Sequence, residues 1–293
     1  MAIPIPVELD RCTPAVVGGL LQGGCPLPAG WERGISFQDT ACLTPTVMGE
    51  CPPNCPDLKP TQRADTVTFR PVSLITAFEC STFGGIDVQA VASANLDETA
   101  DYALAREMLT GQAARRDANP NVIDAPNPSL QTHAINLGAT FPNPVAALGC
   151  IEQALADTTG GRNGYILLGP EIALALSDTV LVREGGRLLT MTGTRVIVSG
   201  GFDGRGPIDS PGEISPADPC EPWNEFGGPA FGDQLYIYAT ASVWSGVGAP
   251  GGNMRSDVNR RVNTASAREE RGALSAFTPC ATFAAGSGIT KAC

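Results

Sequence analysis

One long uninterrupted segment constrains the fold most. Ile86–Leu109 contains neither glycine nor proline and is followed by Gly111, a residue typical of the position just beyond a helix end. The segment therefore predicts one helix of about 22 residues, which would span on the order of 33 Å and act as a beam. Apolar residues at helical spacing predict its buried side, namely Val88, Val91, Ala92, Tyr102, Ala105, Met108 and Leu109. Three acidic residues, Asp97, Glu98 and Asp101, predict a side that faces water.

The region before this helix has a different amino-acid composition. Residues 1–65 are rich in Pro, Gly and Cys, as in Gly23–Pro26 and Cys51–Pro56. Because Pro and Gly interrupt regular periods, this region predicts an extended arm that is held by whatever it lies against and contributes little to folding. From Thr66 to Gly85 the sequence turns to β-favouring residues, which predict two extended strands or a long loop with strand character.

The second half alternates short elements after a polar, proline-marked loop over Arg115–Thr140. Periodicity predicts helices at Pro144–Leu155 and Pro170–Leu176, each with proline in its first turn. A long loop is expected over residues 199–230, which are dense in Gly, Pro and Asp. The predicted strands are Tyr165–Leu168, Leu181–Val182, Leu188–Met191, Arg195–Val198, Gln234–Trp244 and a closing strand at Leu274–Phe283.

The charge balance excludes several classes of protein. The formal net charge is −11, whereas a protein that grips phosphates normally carries a basic patch. Charged residues make up only 17% of the chain, which favours a surface that lies against other copies of itself. The opening Met1–Asp10 resembles no secretory signal, and the most apolar stretch, Tyr165–Val182, is interrupted by Pro170, Glu171 and Asp178. The sequence thus predicts no membrane span.

The chain has ten cysteines, five of them in the first 55 residues. Cys51 and Cys55 could supply one pair of zinc ligands, but a closed zinc site needs a second pair at similar spacing. Buried thiols, or disulfides formed after the protein leaves the cell, fit the isolated cysteines better. The candidate inter-subunit or disulfide cysteines are Cys12, Cys25, Cys42, Cys51, Cys55 and Cys80.

The search for a catalytic, cofactor-binding or metal-binding constellation finds none. His133 is the single histidine and lies in a polar loop without a neighbouring nucleophile. The glycine-rich stretch Gly200–Gly206 lacks the phosphate-binding form and predicts turns. Glu269 and Glu270 lie in an Arg-flanked run that predicts a helix with exposed or interface ion pairs. Asp203 and Asp209 lack the spacing of a calcium loop.

The order of these pieces resembles the Hong-Kong-97-like fold of tailed-bacteriophage major capsid proteins, an α+β fold. Several stretches look like capsid subunits of actinobacteriophages, namely Tyr102–Gly111, Tyr165–Pro170, Gly186–Gly193, Val196–Phe202, Tyr236–Trp244, Asn259–Asn263 and Ala267–Arg271. The resemblance implies an N-terminal arm over residues 1–65, an extended loop over 66–85, a peripheral domain with the spine helix over 86–141, an axial domain over 142–233, and a return to the peripheral domain over 234–293.

The resemblance also implies a function. The chain would be a major capsid protein that assembles with itself as hexamers and pentamers into an icosahedral head shell around double-stranded DNA, without sequence-specific binding. It would be built in the host cytoplasm and end in the virion, with scaffold, portal and decoration proteins as further partners. Two alternatives stay open, an encapsulin-type shell around a cargo enzyme and a soluble α/β enzyme.

Some capsids of this family are locked by a bond between lysine and asparagine, with the lysine in the extended loop. Residues 66–85 contain no lysine here, since the two lysines are Lys59 and Lys291. We therefore expect cysteines of the arm and the extended loop to provide any covalent locking.

Overall fold

The structure is a computed structural model of the chain. It describes residues 5–6, 19–42, 65–81, 86–111, 127–138, 141–161, 164–176, 180–207, 234–249, 253–259, 261 and 263–290.

The described residues form a mixed α+β fold. Its helices are α1 (Leu20–Gly23), α2 (Val88–Thr110), α3 (Leu130–His133), α4 (Pro144–Thr159) and α5 (Pro170–Leu176), with short 3-10 turns at Trp31–Arg33 and Pro279–Ala281. Its strands are β1 (Ile5–Pro6), β2 (Cys25–Pro26), β3 (Ile35–Gln38), β4 (Thr66–Phe69), β5 (Val72–Ser81), β6 (Ile135–Asn136), β7 (Tyr165–Leu168), β8 (Leu181–Glu184), β9 (Arg187–Thr190), β10 (Arg195–Val198), β11 (Gln234–Thr240), β12 (Val243–Val247), β13 (Asn253–Asn259), β14 (Thr264–Phe277) and β15 (Thr282–Thr290).

The predicted long helix is confirmed as α2, which we call the spine helix. It begins at Asp87, whose carboxylate accepts hydrogen bonds from the N–H groups of Gln89 and Ala90. It ends at Gly111, which has a φ of 64° and donates its N–H to the carbonyl of Glu107. From Val88 to Leu104 every fourth residue of the helix is buried, and from residue 104 to residue 110 every residue is buried. Tyr102, predicted on the buried side, is 52% exposed because it precedes that continuously buried turn.

The spine helix packs on a sheet built around β14, the longest strand described. Over Thr264–Ala273 this strand pairs with β5 on one side, and its other side pairs with β13 and then with β12. Because strand side chains alternate between faces, Ala267, Glu269 and Arg271 turn towards the spine helix. The run Arg268–Arg271, expected to be helical, is therefore strand, and Glu269 is fully buried rather than exposed.

The second large sheet has seven strands in the order β6-β15-β11-β7-β10-β9-β8. Within it β7 and β10 run parallel, and helix α4 packs on β15 and β11. Apolar residues of α4, α5 and the sheet make one core cluster here. The predicted helices of this half and the strands at 165–168 and 195–198 are confirmed.

Two expectations for the second half are wrong. The polar loop expected over Arg115–Thr140 contains α3 and β6 in its described part, where Ser129 forms a capping box with Thr132. The closing strand expected at Leu274–Phe283 is divided, because Pro279 begins a 3-10 turn between β14 and β15. Most of the loop expected over 199–230 lies outside the described residues.

The described part of the arm, residues 19–42, contributes to the core, contrary to the expectation that the arm contributes little to folding. Trp31, Ile35 and Phe37 are buried in the largest core cluster together with residues of the spine helix and β14. The rings of Phe37 and Trp244 lie 5.4 Å apart, and those of Phe69 and Phe277 also lie 5.4 Å apart. The sequence did not indicate this contribution to the core, because the buried side chains of this Pro- and Gly-rich segment follow neither a helical nor a strand period.

This burial predicts the effect of truncating an arm side chain. Phe37→Ala should lower the free energy of unfolding by about 3–5 kcal/mol, because it removes a buried aromatic ring and leaves a cavity. Denaturant unfolding of the full chain measures it. Val258→Ala, at a side chain of β13 that is 57% exposed, is the control and should change the free energy by less than about 1 kcal/mol. Equal effects of the two variants would contradict the placement of the arm in the core.

Candidate functional site

The spine helix holds the described parts of the chain together through polar side chains as well as apolar ones. Asp101, expected to face water, is half-buried and accepts two hydrogen bonds from different parts of the chain. One comes from the N–H of Leu21 in α1 and the other from the hydroxyl of Ser199 just after β10, each at 2.8 Å. Asp101 therefore connects the arm, the spine helix and the seven-stranded sheet.

A second junction lies nearer the C-terminal end of the spine helix, at Arg106. The carboxylate of Asp203 forms ion pairs with Arg106 of the helix and with Arg205, the latter at 2.8 Å. The carbonyl of Arg205 in turn accepts the hydroxyl of Tyr238 at 2.6 Å, and burial raises the pKa of that tyrosine well above its ordinary value. The segment that carries Asp203 is thus fixed to the helix and to β11.

The glycines of this segment have a packing role. Gly201 lies so close to the spine helix that a Cβ would stand 2.3 Å from the carbonyl oxygen of Tyr102. Gly204 has a φ of 76°, which L side chains rarely adopt. The stretch Gly200–Gly206 therefore serves close approach and turning, as the sequence predicts.

The third junction joins the spine helix to β14. The guanidinium of Arg271 donates to Glu269 at 2.6 Å, to the hydroxyl of Ser93 at 2.7 Å, and to Asp97. The hydrogen bond to Glu269 raises the pKa of Arg271, and burial opposes that effect. Glu269 is fully buried, where an unbalanced negative charge would be costly, and the guanidinium of Arg271 balances that charge.

The described residues show no constellation for catalysis or metal binding. His133 is exposed at the end of α3, where its Nδ1 lies 2.8 Å from the hydroxyl of Thr132. Across the described ranges, no group of three or more His, Cys, Asp or Glu side chains could hold a metal ion. Asp209 lies outside the described residues. None of the described helices has the length and apolar character needed to cross a membrane.

Half of the candidate cysteines lie within the described residues. Cys42 forms a disulfide with Cys280 of the same chain, and Cys25 is also disulfide-bonded. Cys80 is a free thiol on β5 and packs in the small apolar cluster under the start of the spine helix. Cys12, Cys51 and Cys55 lie outside the described residues.

Three exposed apolar side chains lie on α5, on β8 and just after β9, at the end of the seven-stranded sheet where β8 is the outermost strand. Leu174 is 75% exposed, Met191 is 73% exposed and Val182 is 46% exposed. Hydrogen bonds from the N–H of Met191 to the carbonyl of Val180 and from the N–H of Val180 to α5 bring these segments together. We call Leu174, Val182 and Met191 the edge patch. Next to it, β8 has one side without a strand partner among the described residues.

This fold is one that occurs in bacteriophage structures, and the similarity extends over almost the whole chain. A structure from Mycobacterium phage Ogopogo is 13% identical with a TM-score of 0.54, covering 96% of this chain and 95% of that chain. A structure from Gordonia phage Cozz is 10% identical with a TM-score of 0.50, covering 97% of this chain and 91% of that one. A third, described as the capsid of an empty GTA particle computed with C5 symmetry, is 10% identical with a TM-score of 0.48, covering 97% of this chain and 100% of that chain.

The sequence itself matches no family model and no curated protein. The predicted resemblance to actinobacteriophage subunits is therefore confirmed as a shared fold. Sequence reasoning missed the three polar junctions, because each includes a hydrogen bond between residues that lie 97 or more positions apart in the chain. What could be inferred beforehand is that Asp97, Asp101 and Arg106 lie on the predicted long helix.

The Arg271 junction leads to a prediction about stability. Arg271→Met should lower the free energy of unfolding by about 3–5 kcal/mol, because buried Glu269 loses the guanidinium that balances its charge. Adding Glu269→Leu should restore most of that loss, since no buried charge then remains. Denaturant unfolding measures both variants. Arg268→Met is the matched control, because Arg268 is exposed on the opposite face of the same strand and should change stability by less than about 0.5 kcal/mol. Failure of the double variant to recover stability would contradict this account.

Proposed function

We propose that the chain is the major capsid protein of a tailed phage, assembling with itself into the icosahedral head shell that encloses the phage DNA. The observation that carries the proposal is the fold shared with the Mycobacterium phage Ogopogo structure over 96% of this chain and 95% of that one. The role is structural, and its chemistry is that of repeated contacts between copies.

The surface supports a subunit that is covered by its neighbours. Charged residues make up only 17% of the chain, and permanent interfaces are depleted in charge. The edge patch and the open side of β8 offer apolar side chains and unpaired backbone groups, both of which favour association. We assign this region to contacts between axial domains around the local symmetry axes, as hexamers and pentamers require.

The remaining division of labour is proposed on the same basis. The axial domain takes residues 142–233, and the peripheral domain takes 86–141 and 234–293, with the spine helix as its beam. Residues 1–65 form the arm, whose described part is anchored in the core of its own subunit. Residues 66–85 contain β4 and β5, and the outward face of β5, with Ile75 at 52% exposure, is available to a neighbouring subunit.

We infer the partners of the protein from its net charge and from its proposed role in a shell that encloses DNA. A net charge of −11 suits a wall against which double-stranded DNA slides without being bound at particular sequences. Scaffold, portal and decoration proteins are further partners that a head of this kind uses. We place assembly in the host cytoplasm and the finished protein in the virion.

Self-association tests the proposal directly. The purified full chain at micromolar concentration should elute as species far larger than its 30.3 kDa mass, because shell subunits share many weak contacts. Size-exclusion chromatography with light scattering measures the mass. A stable monomer across a range of salt concentration and pH would contradict the proposed function.

The edge patch yields a sharper prediction. Leu174→Asp combined with Met191→Asp should abolish large species while leaving the subunit folded, since both side chains are exposed and lie outside the core clusters. Burying two unpaired carboxylates in an interface would cost several kcal/mol per contact. The mass is measured by light scattering and the fold by circular dichroism.

The control keeps the patch apolar at the same positions. Leu174→Met with Met191→Leu should assemble like the natural protein. If the aspartate variant assembled equally well, the patch would lie outside the contacts between subunits. If it failed to fold, single aspartate substitutions at each position would separate folding from assembly.

A further inference from the structure

The disulfide between Cys42 and Cys280 lies beside a buried carboxyl group. The bond joins the chain just after β3 to the 3-10 turn that precedes β15, with 238 residues between the cysteines and a Cα–Cα distance of 5.9 Å. That distance is normal for a disulfide. Both cysteines are partly exposed rather than buried. The bond ties the sheet that contains β3 to the seven-stranded sheet.

The neighbouring carboxyl group belongs to Asp39, which is 4% exposed. Its Oδ2 accepts the N–H of Cys280 at 2.8 Å, and its Oδ1 accepts the N–H of Ala41 at 3.3 Å. The same Oδ1 lies 3.0 Å from the Sγ of Cys280, which is within hydrogen-bonding distance for sulfur. The carboxyl group is thus fixed in place and aimed at one sulfur of the disulfide.

The source of that hydrogen changes with the redox state. A disulfide sulfur carries no hydrogen, so in the oxidised form a hydrogen bond between these two atoms uses a proton of the Asp39 carboxyl group. In the reduced form the thiol of Cys280 can donate its own hydrogen to an ionised Asp39. The oxidised form therefore favours the protonated carboxyl, and the reduced form favours the carboxylate.

The surroundings support a carboxyl group that holds a proton. No ion pair among the described residues includes Asp39. Burial raises the pKa of Asp39, the N–H donors of Cys280 and Ala41 lower it, and the nearby charge of Asp65 raises it further. Apart from the two cysteines, Asp65 is the titratable group that acts on this carboxyl.

We propose that Asp39, Cys42 and Cys280 form a proton-coupled thiol–disulfide site, in which Asp39 gives a proton to Cys280 when the disulfide is reduced and takes it back when the bond reforms. The reductant is a low-molecular-weight thiol, and the oxidant is the corresponding disulfide. The thiolate of the reductant attacks the Sγ of Cys42, and a new sulfur–sulfur bond forms there. The bond to Cys280 breaks, its sulfur leaves with the electron pair, and the proton of Asp39 moves to it. A second thiolate then attacks the outer sulfur of this mixed disulfide, which forms the low-molecular-weight disulfide and releases Cys42 as a thiolate that takes a proton from the solvent.

The direction of attack follows from the hydrogen bonds. The N–H of Cys42 donates to the Sγ of Cys280 at 3.1 Å, so that sulfur faces two donors when Asp39 is protonated. Donors stabilise the negative charge that develops on a leaving sulfur. Cys280 is therefore the leaving group, and Cys42 is the sulfur that small thiols attack.

The proton coupling is tested by redox equilibrium in glutathione buffers at different pH. The readout is the fraction of Cys42 linked to Cys280, measured by mass spectrometry after blocking free thiols. Because the oxidised form binds the extra proton at Asp39, the equilibrium constant for oxidation should rise as the pH falls through the pKa of that group. We expect a rise of at least about threefold between about pH 7.5 and about pH 5, where ordinary thiols stay protonated.

Two variants separate the role of Asp39 from that of charge in general. Asp39→Asn should remove the rise, because the amide holds no titrating proton, whereas Asp65→Asn should keep most of it. Thermal unfolding of the oxidised variants checks that each is folded. A rise of equal size in Asp39→Asn would overturn the proton coupling, and absence of the Cys42–Cys280 link in oxidised protein would overturn the site itself.

The direction of attack has its own test. With one cysteine of the pair left, Cys280→Ser should react with glutathione disulfide at Cys42 at least about tenfold faster than Cys42→Ser reacts at Cys280, because ionised Asp39 disfavours a thiolate beside it. Site-specific mass spectrometry follows each adduct. Equal rates, or faster reaction at Cys280, would contradict the proposed direction. These measurements concern one subunit and are independent of whether copies assemble.

Discussion

The fold depends on the contact between the spine helix and β14. From Leu104 to Leu109 the helix is buried on all sides, and Phe277 at the end of β14 is buried in the same core cluster. An apolar contact of this size stabilises the subunit by removing area from water, but it does not fix orientation. The aromatic side chains of the arm and β4 close over this contact, which is why a segment rich in Pro and Gly still belongs to the core.

Polar side chains supply the orientation that apolar packing lacks. Asp97, Asp101 and Arg106 link one helix to three different parts of the chain, and each has partners at fixed geometry. A shell subunit needs a fixed angle between its parts, because small errors accumulate when many copies meet. The junctions along the spine helix give that rigidity a physical basis.

Local patterns could be predicted from the sequence, and distant pairings could not. The spine helix was predictable because Gly111 ends an uninterrupted run, and α4 was predictable from its apolar stripe. The spacing of charges in Arg268–Arg271 favours a helix, yet this run is a strand because it pairs with β5 and with β13. Cys42 was a candidate by composition, whereas its partner Cys280 and its neighbour Asp39 are brought together only by the fold.

We propose that this chain builds a closed shell from copies of itself. Electron microscopy of the purified full chain under assembly conditions is the decisive test. Closed shells or capsomer rings are expected, with density for the edge patch buried between neighbouring axial domains. A field of isolated subunits at every salt concentration and pH tried, or particles in which Leu174 and Met191 face open solvent, would contradict it.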